Sequence, residues 1–177
     1  MNFFFTPFFL VFIVCNIINF CAYSLEVTLT QGTIKPTPIA VTSFFSTETN
    51  SQKIGKNISQ LISDNLERSG LFLPIDKKAF IQDISSLAIQ PRFEDWKIIK
   101  AQHLISGKVF QSNDKITVEF RLYDVFAQKQ LLGKKYETSD KNWRRVSHII
   151  SDAIFERVTG EGGYFDTRIV YVAETGS

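Results

Sequence analysis

Ile116-Thr117-Val118-Glu119-Phe120-Arg121-Leu122-Tyr123 alternates apolar side chains with polar ones. A period of two places Ile116, Val118, Phe120 and Leu122 on one face of a strand and Thr117, Glu119 and Arg121 on the other. The run is bounded by Ser112-Asn113-Asp114 before it and by Asp124 to Gln128 after it, both of which suit tight turns. His103 to Phe110 and Lys129 to Thr138 therefore read as its hairpin neighbours, and the three strands form a meander.

Two long amphipathic stretches flank this meander in sequence. Ile54, Ile58, Leu61, Ile62 and Leu66 recur at helical spacing, with polar and charged residues opposite. Asn50 or Ser51 is expected to cap that helix, and Gly70 to end it in a left-handed conformation. Val146, Ile149, Ile150, Ala153, Ile154 and Val158 form a second stripe, with Ser139 or Asp140 as its cap and Gly160 as its stop. Ahead of the first helix, Pro36 and Pro38 hold the chain extended, and Ile39-Ala40-Val41 with Phe44-Phe45 reads as an apolar strand central in a sheet. Phe72-Leu73-Pro74-Ile75 reads as a short strand that Pro74 confines to an edge or a terminus. A helical turn is expected around Ala79 to Ile84. A short helix is expected from Phe93 to Ile99, with Phe93 and Trp96 three apart on one face. The order of elements implies the α+β class: an α/β two-layer sandwich of two main helices on a mixed sheet.

The leading segment has a different character. Met1 to Ser24 carries no charge, and Phe8 to Phe20 is almost wholly apolar. Ala22-Tyr23-Ser24 sets small residues two apart, as a signal-peptide cleavage site requires. Spanning a bilayer takes about 20 apolar residues, and Thr6, Pro7, Asn16 and Asn19 interrupt this stretch. It reads as a secretory signal peptide, residues 1–24, cut after Ser24. An uncleaved membrane anchor is the alternative, favoured by the lack of Lys or Arg ahead of the apolar run. Cys15 and Cys21 both lie in this segment, so the mature chain from Leu25 would hold no thiol, disulfide or cysteine metal site. Asn19-Phe20 is the wrong pair to precede a lipoprotein cysteine. Next, Leu25 to Gln31 alternates Leu25, Val27 and Leu29 with Glu26, Thr28 and Thr30, the pattern of a strand or of an extended arm with one apolar edge.

Charge and motif content point away from chemistry. The formal net charge is +2, and no basic run exceeds the pairs Lys77-Lys78, Lys134-Lys135 and Arg144-Arg145. Nucleic-acid binding usually leaves a basic stripe, and none is present. His103 and His148 lack a second histidine at metal spacing, and no serine sits in a nucleophile elbow. Gly160-Glu161-Gly162-Gly163 follows a helix and precedes a strand, the reverse of the order a phosphate cradle needs, and reads as a helix stop and a flexible hinge. Asp64, Glu67, Asp83, Glu94 and Asp95 could supply paired carboxylates, but Asp64 and Glu67 share the polar helix face of a solvated surface. Asn57-Ile58-Ser59 matches a glycosylation sequon inside a predicted helix. The expectation is a chain that binds, with no catalytic residue, metal, cofactor or small-molecule substrate.

At the far end, Ile169 to Ala173 is apolar on both alternating faces and reads as a strand buried on both sides. The expected organisation is a domain over residues 25–160, then a linker and the first strand of a further body over residues 161–177.

Six blocks occur in order along the mature chain: Pro38-Ile39-Ala40-Val41 with Phe44; Leu66-Glu67-Arg68-Ser69-Gly70-Leu71-Phe72; Trp96 followed by Leu104-Ile105-Ser106-Gly107-Lys108-Val109; Phe120-Arg121-Leu122-Tyr123-Asp124-Val125; Arg145 with His148-Ile149-Ile150-Ser151-Asp152; and Thr159-Gly160-Glu161-Gly162-Gly163 leading to Phe165-Asp166-Thr167-Arg168-Ile169-Val170-Tyr171-Val172. Together they resemble the TolB amino-terminal domain family of the bacterial Tol–Pal envelope system. The resemblance implies two helices on a mixed five-stranded sheet, akin to an anticodon-binding domain, with a six-bladed β-propeller after it. It also implies a periplasmic adaptor that links the inner-membrane protein TolA to the outer-membrane lipoprotein Pal. That adaptor supports outer-membrane integrity and invagination during cell division and, in some bacteria, receives imported bacteriocins. By position, the segment implied to bind TolA is Leu25-Glu26-Val27-Thr28-Leu29-Thr30-Gln31-Gly32. Propeller blades have four strands and about 40 residues each, so the strand from Arg168 would be the first of the first blade. A Pal-like partner is then expected only where another chain supplies the propeller. A truncated remnant without function is one alternative expectation; a nucleic-acid-binding α/β domain, against which the leader and the charge pattern speak, is the other.

Overall fold

The computed structural model describes residues 35–87 and 90–167. The expected leader, the arm Leu25 to Gly32 and the terminal strand from Arg168 lie outside the described residues. Within them, the chain runs β1 (Thr37–Val41), α1 (Thr49–Arg68), β2 (Phe72–Pro74), α2 (Ile84–Leu87), α3 (Phe93–Ile98), β3 (His103–Ser112), β4 (Lys115–Asp124), β5 (Lys129–Ser139) and α4 (Trp143–Thr159). Single 3₁₀ turns occupy Lys77–Ala79 and Asp140–Asn142. The strands form one mixed sheet in the order β2-β1-β3-β4-β5, as expected of the class.

The meander is the sheet's backbone. β3 and β4 pair antiparallel from His103↔Asp124 to Ser112↔Lys115, and β4 pairs β5 from Lys115↔Ser139 to Asp124↔Lys129. Ile116, Val118, Phe120 and Leu122 are all buried on one face, together with Ile105 and Val109 of β3. β1 lies between β2 and β3 and is parallel to both. Pro74 ends β2, which has only three residues at the sheet's edge.

The two long helices cover the same face. Ile58, Ile62 and Leu66 of α1 and Ile150 and Ile154 of α4 are wholly buried against it, each contributing about 1.5–3 kcal/mol of transfer free energy. Gly70 follows α1 at φ +73° and Gly160 follows α4 at φ +79°, as their left-handed roles require. The starts differ from expectation. Glu48 precedes α1 without a side-chain cap, and Ser51 is a fully buried residue of the first turn, its hydroxyl bonding Glu48 and Gln111. Ser139 does cap, but it caps the 3₁₀ turn that leads into α4.

The opposite face is covered at one end only. The β2-to-β3 connection packs Leu87, Trp96 and Ala101 on Ala40, Leu104, Tyr123 and Val125. Ala40 and Leu104 alternate with Ile39 and Ile105 of the main core, so these are two faces of one sheet. Right-handed crossovers dictate this arrangement. β1 to β2 steps one way along the sheet and β2 to β3 steps back, so the second connection must cross the other face. Gln82 organises it. Its buried amide accepts from Trp96 Nε1 (3.0 Å) and from the Arg92 N–H (2.8 Å), and donates to the Gln90 carbonyl (2.9 Å).

Phe44 joins the layers. Its ring lies on Gly107 of β3, where a Cβ would come within 2.5 Å of ring atoms, and its backbone carbonyl meets Gly55 of α1. Alanine normally favours a helix by about 1 kcal/mol over glycine. At Gly55 the added carbon would fall on a backbone oxygen, and such overpacking costs about 1–3 kcal/mol. Gly55→Ala is therefore expected to lower stability despite its better helix propensity. A thermal melt followed by circular dichroism checks the sign.

Candidate functional site

The residues singled out for chemistry in the sequence do not converge. Asp64 is an exposed acceptor for Gln60 on the outer face of α1. Asp83 turns the chain into α2, and hydrogen bonds from the Ser85 hydroxyl and N–H hold its pKa below the usual carboxylate value. Glu94 pairs with Lys97 at 2.8 Å and Asp95 with Arg92 at 2.7 Å along α3. These are neighbours three apart on one helix, the ordinary use of surface charge.

The two histidines serve packing. His103 opens β3, is 7% exposed, and its Nδ1 has no hydrogen-bond partner. Burial holds its pKa below the ordinary histidine value, with its cross-strand neighbour Asp124 acting weakly in the other direction. His148 belongs to a polar seam between the long helices. The Asn65 amide of α1 donates to His148 Nδ1 and to Ser151 Oγ of α4, each at 3.0 Å, and the Ser151 hydroxyl donates to the Ser147 carbonyl. Asn65 and Ser151 are fully buried, so the seam fixes the rotation of one helix on the other. Among the described residues no three His, Asp or Glu side chains stand together as a metal would need.

The glycine-rich segment after α4 departs from its expected character. Gly160 ends the helix, but the chain then turns back along it. The Asp152 carboxylate accepts from the consecutive N–H groups of Phe165 (2.7 Å) and Asp166 (3.0 Å). Arg145 pairs with Asp166 at 3.5 Å. Phe165 and Tyr164 meet the buried ring of Phe155 edge-on, at 5.8 and 5.4 Å between centroids. A Cβ on Gly163 would collide with Asp152. Gly163 is thus a close-approach residue and not a hinge: it lets the backbone reach the carboxylate. No periodic signal in the sequence marks this clip, because it depends on one acid facing a bend.

Residues 25–131 match the TolB amino-terminal domain family. The chain belongs to this family. It also superposes on TolB from Acinetobacter baumannii with a TM-score of 0.61 and 26% identity, covering 75% of this chain and 30% of that one. The chain therefore spans about a third of the length of that TolB. Weaker likenesses are to a lipoprotein from Neisseria meningitidis (TM-score 0.48, 12% identity, 70% of this chain and 98% of that one) and to the LpoB C-terminal domain from Salmonella enterica (TM-score 0.40, 10% identity, 63% and 87%). The mixed five-stranded sheet with its helices is the TolB amino-terminal fold, and the relation to the Tol–Pal system rests on it. The segment expected to carry partner contacts, Leu25 to Gly32, lies outside the described residues. The matched span begins at its first residue.

Two outcomes test this reading of the side chains. An unfolded histidine takes up a proton near pH ~6.5, whereas folded His103 resists it. Below that pH the unfolded state binds more protons, so stability is full above about 6.5 and falls as pH drops toward the lower folded value. Urea midpoints measured across that interval should show a shallower acid limb in His103→Gln. Replacing Asp152 with Ala leaves two backbone donors without their acceptor. It should cost roughly 1–3 kcal/mol and abolish hydrogen-exchange protection at the Phe165 and Asp166 amides, while the Leu104 and Val118 amides keep theirs.

Proposed function

We propose that this TolB amino-terminal domain is a periplasmic adaptor of the Tol–Pal system that works by contact with other proteins. The leader, residues 1–24, is removed after Ser24, which sets free the arm Leu25 to Gly32. The arm adds as a strand to an inner-membrane partner of the TolA type. Its alternation gives one apolar edge, and its backbone supplies the hydrogen bonds of strand addition. One observation carries this reading: the family match starts at Leu25, the residue after the expected cut, so arm and globule are shared as one unit.

The reading assigns no catalytic step, cofactor, nucleic acid or small-molecule substrate to this chain. Contact with a Pal-like lipoprotein belongs to a propeller, whether it follows in the same polypeptide or is supplied by another. The roles in outer-membrane integrity, in invagination during division and in protein import belong to the assembled system, to which this domain contributes the inner-membrane link.

The mature chain and a variant lacking Leu25 to Gly32 should separate cleanly in a pull-down on the periplasmic part of the TolA-like partner. The intact chain is retained and the deletion is lost. Val27→Pro, which removes one strand N–H, should weaken capture without unfolding the domain. Equal capture of all three would reject the arm as the contact.

A further inference from the structure

We infer that a second contact surface exists, at the outer edge of β5 beside α4, and that it accepts an extended segment of a partner protein in which apolar and acidic side chains alternate along one face. The sheet has two edges. β2 offers three residues and ends in a proline, so it cannot template a strand. β5 runs for eleven residues and is the last strand in the sheet, with its outer backbone groups unpaired among the described residues. An edge of that length is a ready template for another chain.

Beside this edge the core is left incompletely covered. Leu132 and Tyr136 of β5, and Trp143 and Val158 of α4, pack on the buried cluster yet stay partly exposed. Between strand and helix runs a groove lined by Leu132 and Lys134 on one side and by Ala153, Glu156, Arg157 and Gly160 on the other. A strand laid against β5 would send every second side chain into this groove. It would meet Leu132, then Lys134, then Tyr136, which lie on the helix side of β5 opposite Leu122, Phe120 and Val118 of β4.

Charge selects the occupant. Lys134 and Arg157 take part in no ion pair among the described residues, whereas Lys135 on the other face of β5 is already paired with Glu137 at 3.3 Å. Glu156 is the one acid in the groove lining. Lysines on an edge also repel a second copy of the same edge, so the feature that discourages self-pairing favours a segment of opposite sign. Such a segment needs an apolar residue for Leu132, a carboxylate for Lys134 and an apolar residue for Tyr136. This surface is independent of the arm, so either contact can fail without the other.

The probe is a fluorescein-labelled peptide of Val-Thr-Glu-Thr repeats, about ten residues long to match a strand, with a Val-Thr-Lys-Thr peptide as its opposite. Both are titrated into the mature chain by anisotropy and by amide chemical shifts. The acidic peptide should bind, with shifts confined to β5 and to residues 153–160 of α4. The variant Lys134→Glu with Arg157→Glu should weaken it about tenfold, the scale of one to two rim charges, and should gain affinity for the basic peptide. If that variant melts early, Lys134→Gln with Arg157→Gln replaces it, with loss of the acid preference as the expected result. Equal binding of the two peptides, shifts on another surface, no binding near millimolar peptide, or dimerisation of the chain through β5 in sedimentation would each overturn the assignment.

Discussion

The fold depends on how closely Phe44 is allowed to approach its neighbours. β1 ends at Val41, but the chain meets β3 again with one extra residue in between (Val41↔Ile105, Phe45↔Lys108), and Phe45 exchanges hydrogen bonds with β3 through Gly107 O (2.8 Å) and Val109 N (2.9 Å). That pairing fixes where Phe44 sits, with its ring on the bare backbone of Gly107 and its carbonyl against Gly55. Two missing side chains thus set the distance between α1 and the sheet. The apolar side chains that α1 buries, Ile58, Ile62 and Leu66, lie further along the same helix and inherit that spacing. The Asn65 seam then carries the constraint across to α4, because its two bonds hold only if both helices stand at matching heights above the strands.

The one-sided covering of the second face follows from chirality and from the shortness of the connection that crosses it. Right-handed crossovers send the β2-to-β3 connection to the face opposite α1. That connection contains helices of four and six residues, too short to span five strands. It therefore seals only the end around Ala40, Leu104 and Tyr123, with Trp96 as its plug. Beyond it, Lys108, Glu119 and Lys135 lie side by side across β3, β4 and β5 in register, and Phe110 stands half-exposed on the same face. Charges of opposite sign are direct cross-strand neighbours along that row, a favourable arrangement for an open sheet face.

What could be read from the sequence divides along physical lines. Alternation in Ile116 to Leu122, the stripe Ile54 to Leu66 and the glycines Gly70 and Gly160 were legible because each is a local rule: a period or a backbone angle belongs to the residue itself. The starts of the helices were less legible, since Ser51 has the chemistry of a cap but is buried within the first turn, where its hydroxyl finds Gln111 on another element. Gly55, Gly107 and Gly163 could not be told from flexible glycines, because their role lies in the atom each one would strike: the Phe44 carbonyl, the Phe44 ring or Asp152. Gln82 gave no signal for the same reason, as its partners Gln90, Arg92 and Trp96 come from a connection with no sustained period. The resemblance located a candidate contact segment by position alone, and side-chain geometry could add nothing to it there.

The folded unit is longer than the span that defines the family. The match ends at residue 131, near the start of β5, yet the core does not close until α4 is in place. Ile150, Ile154 and Phe155 are almost wholly buried, and losing them would strip the main face of half its cover. Phe155 also touches Phe72 of β2 at 6.2 Å between centroids, so the helix that closes the domain reaches across to the opposite edge strand. The backbone clip at Asp152 springs from that same turn of α4. The segment Phe165-Asp166 is therefore held against the helix whose Phe155 ring touches β2.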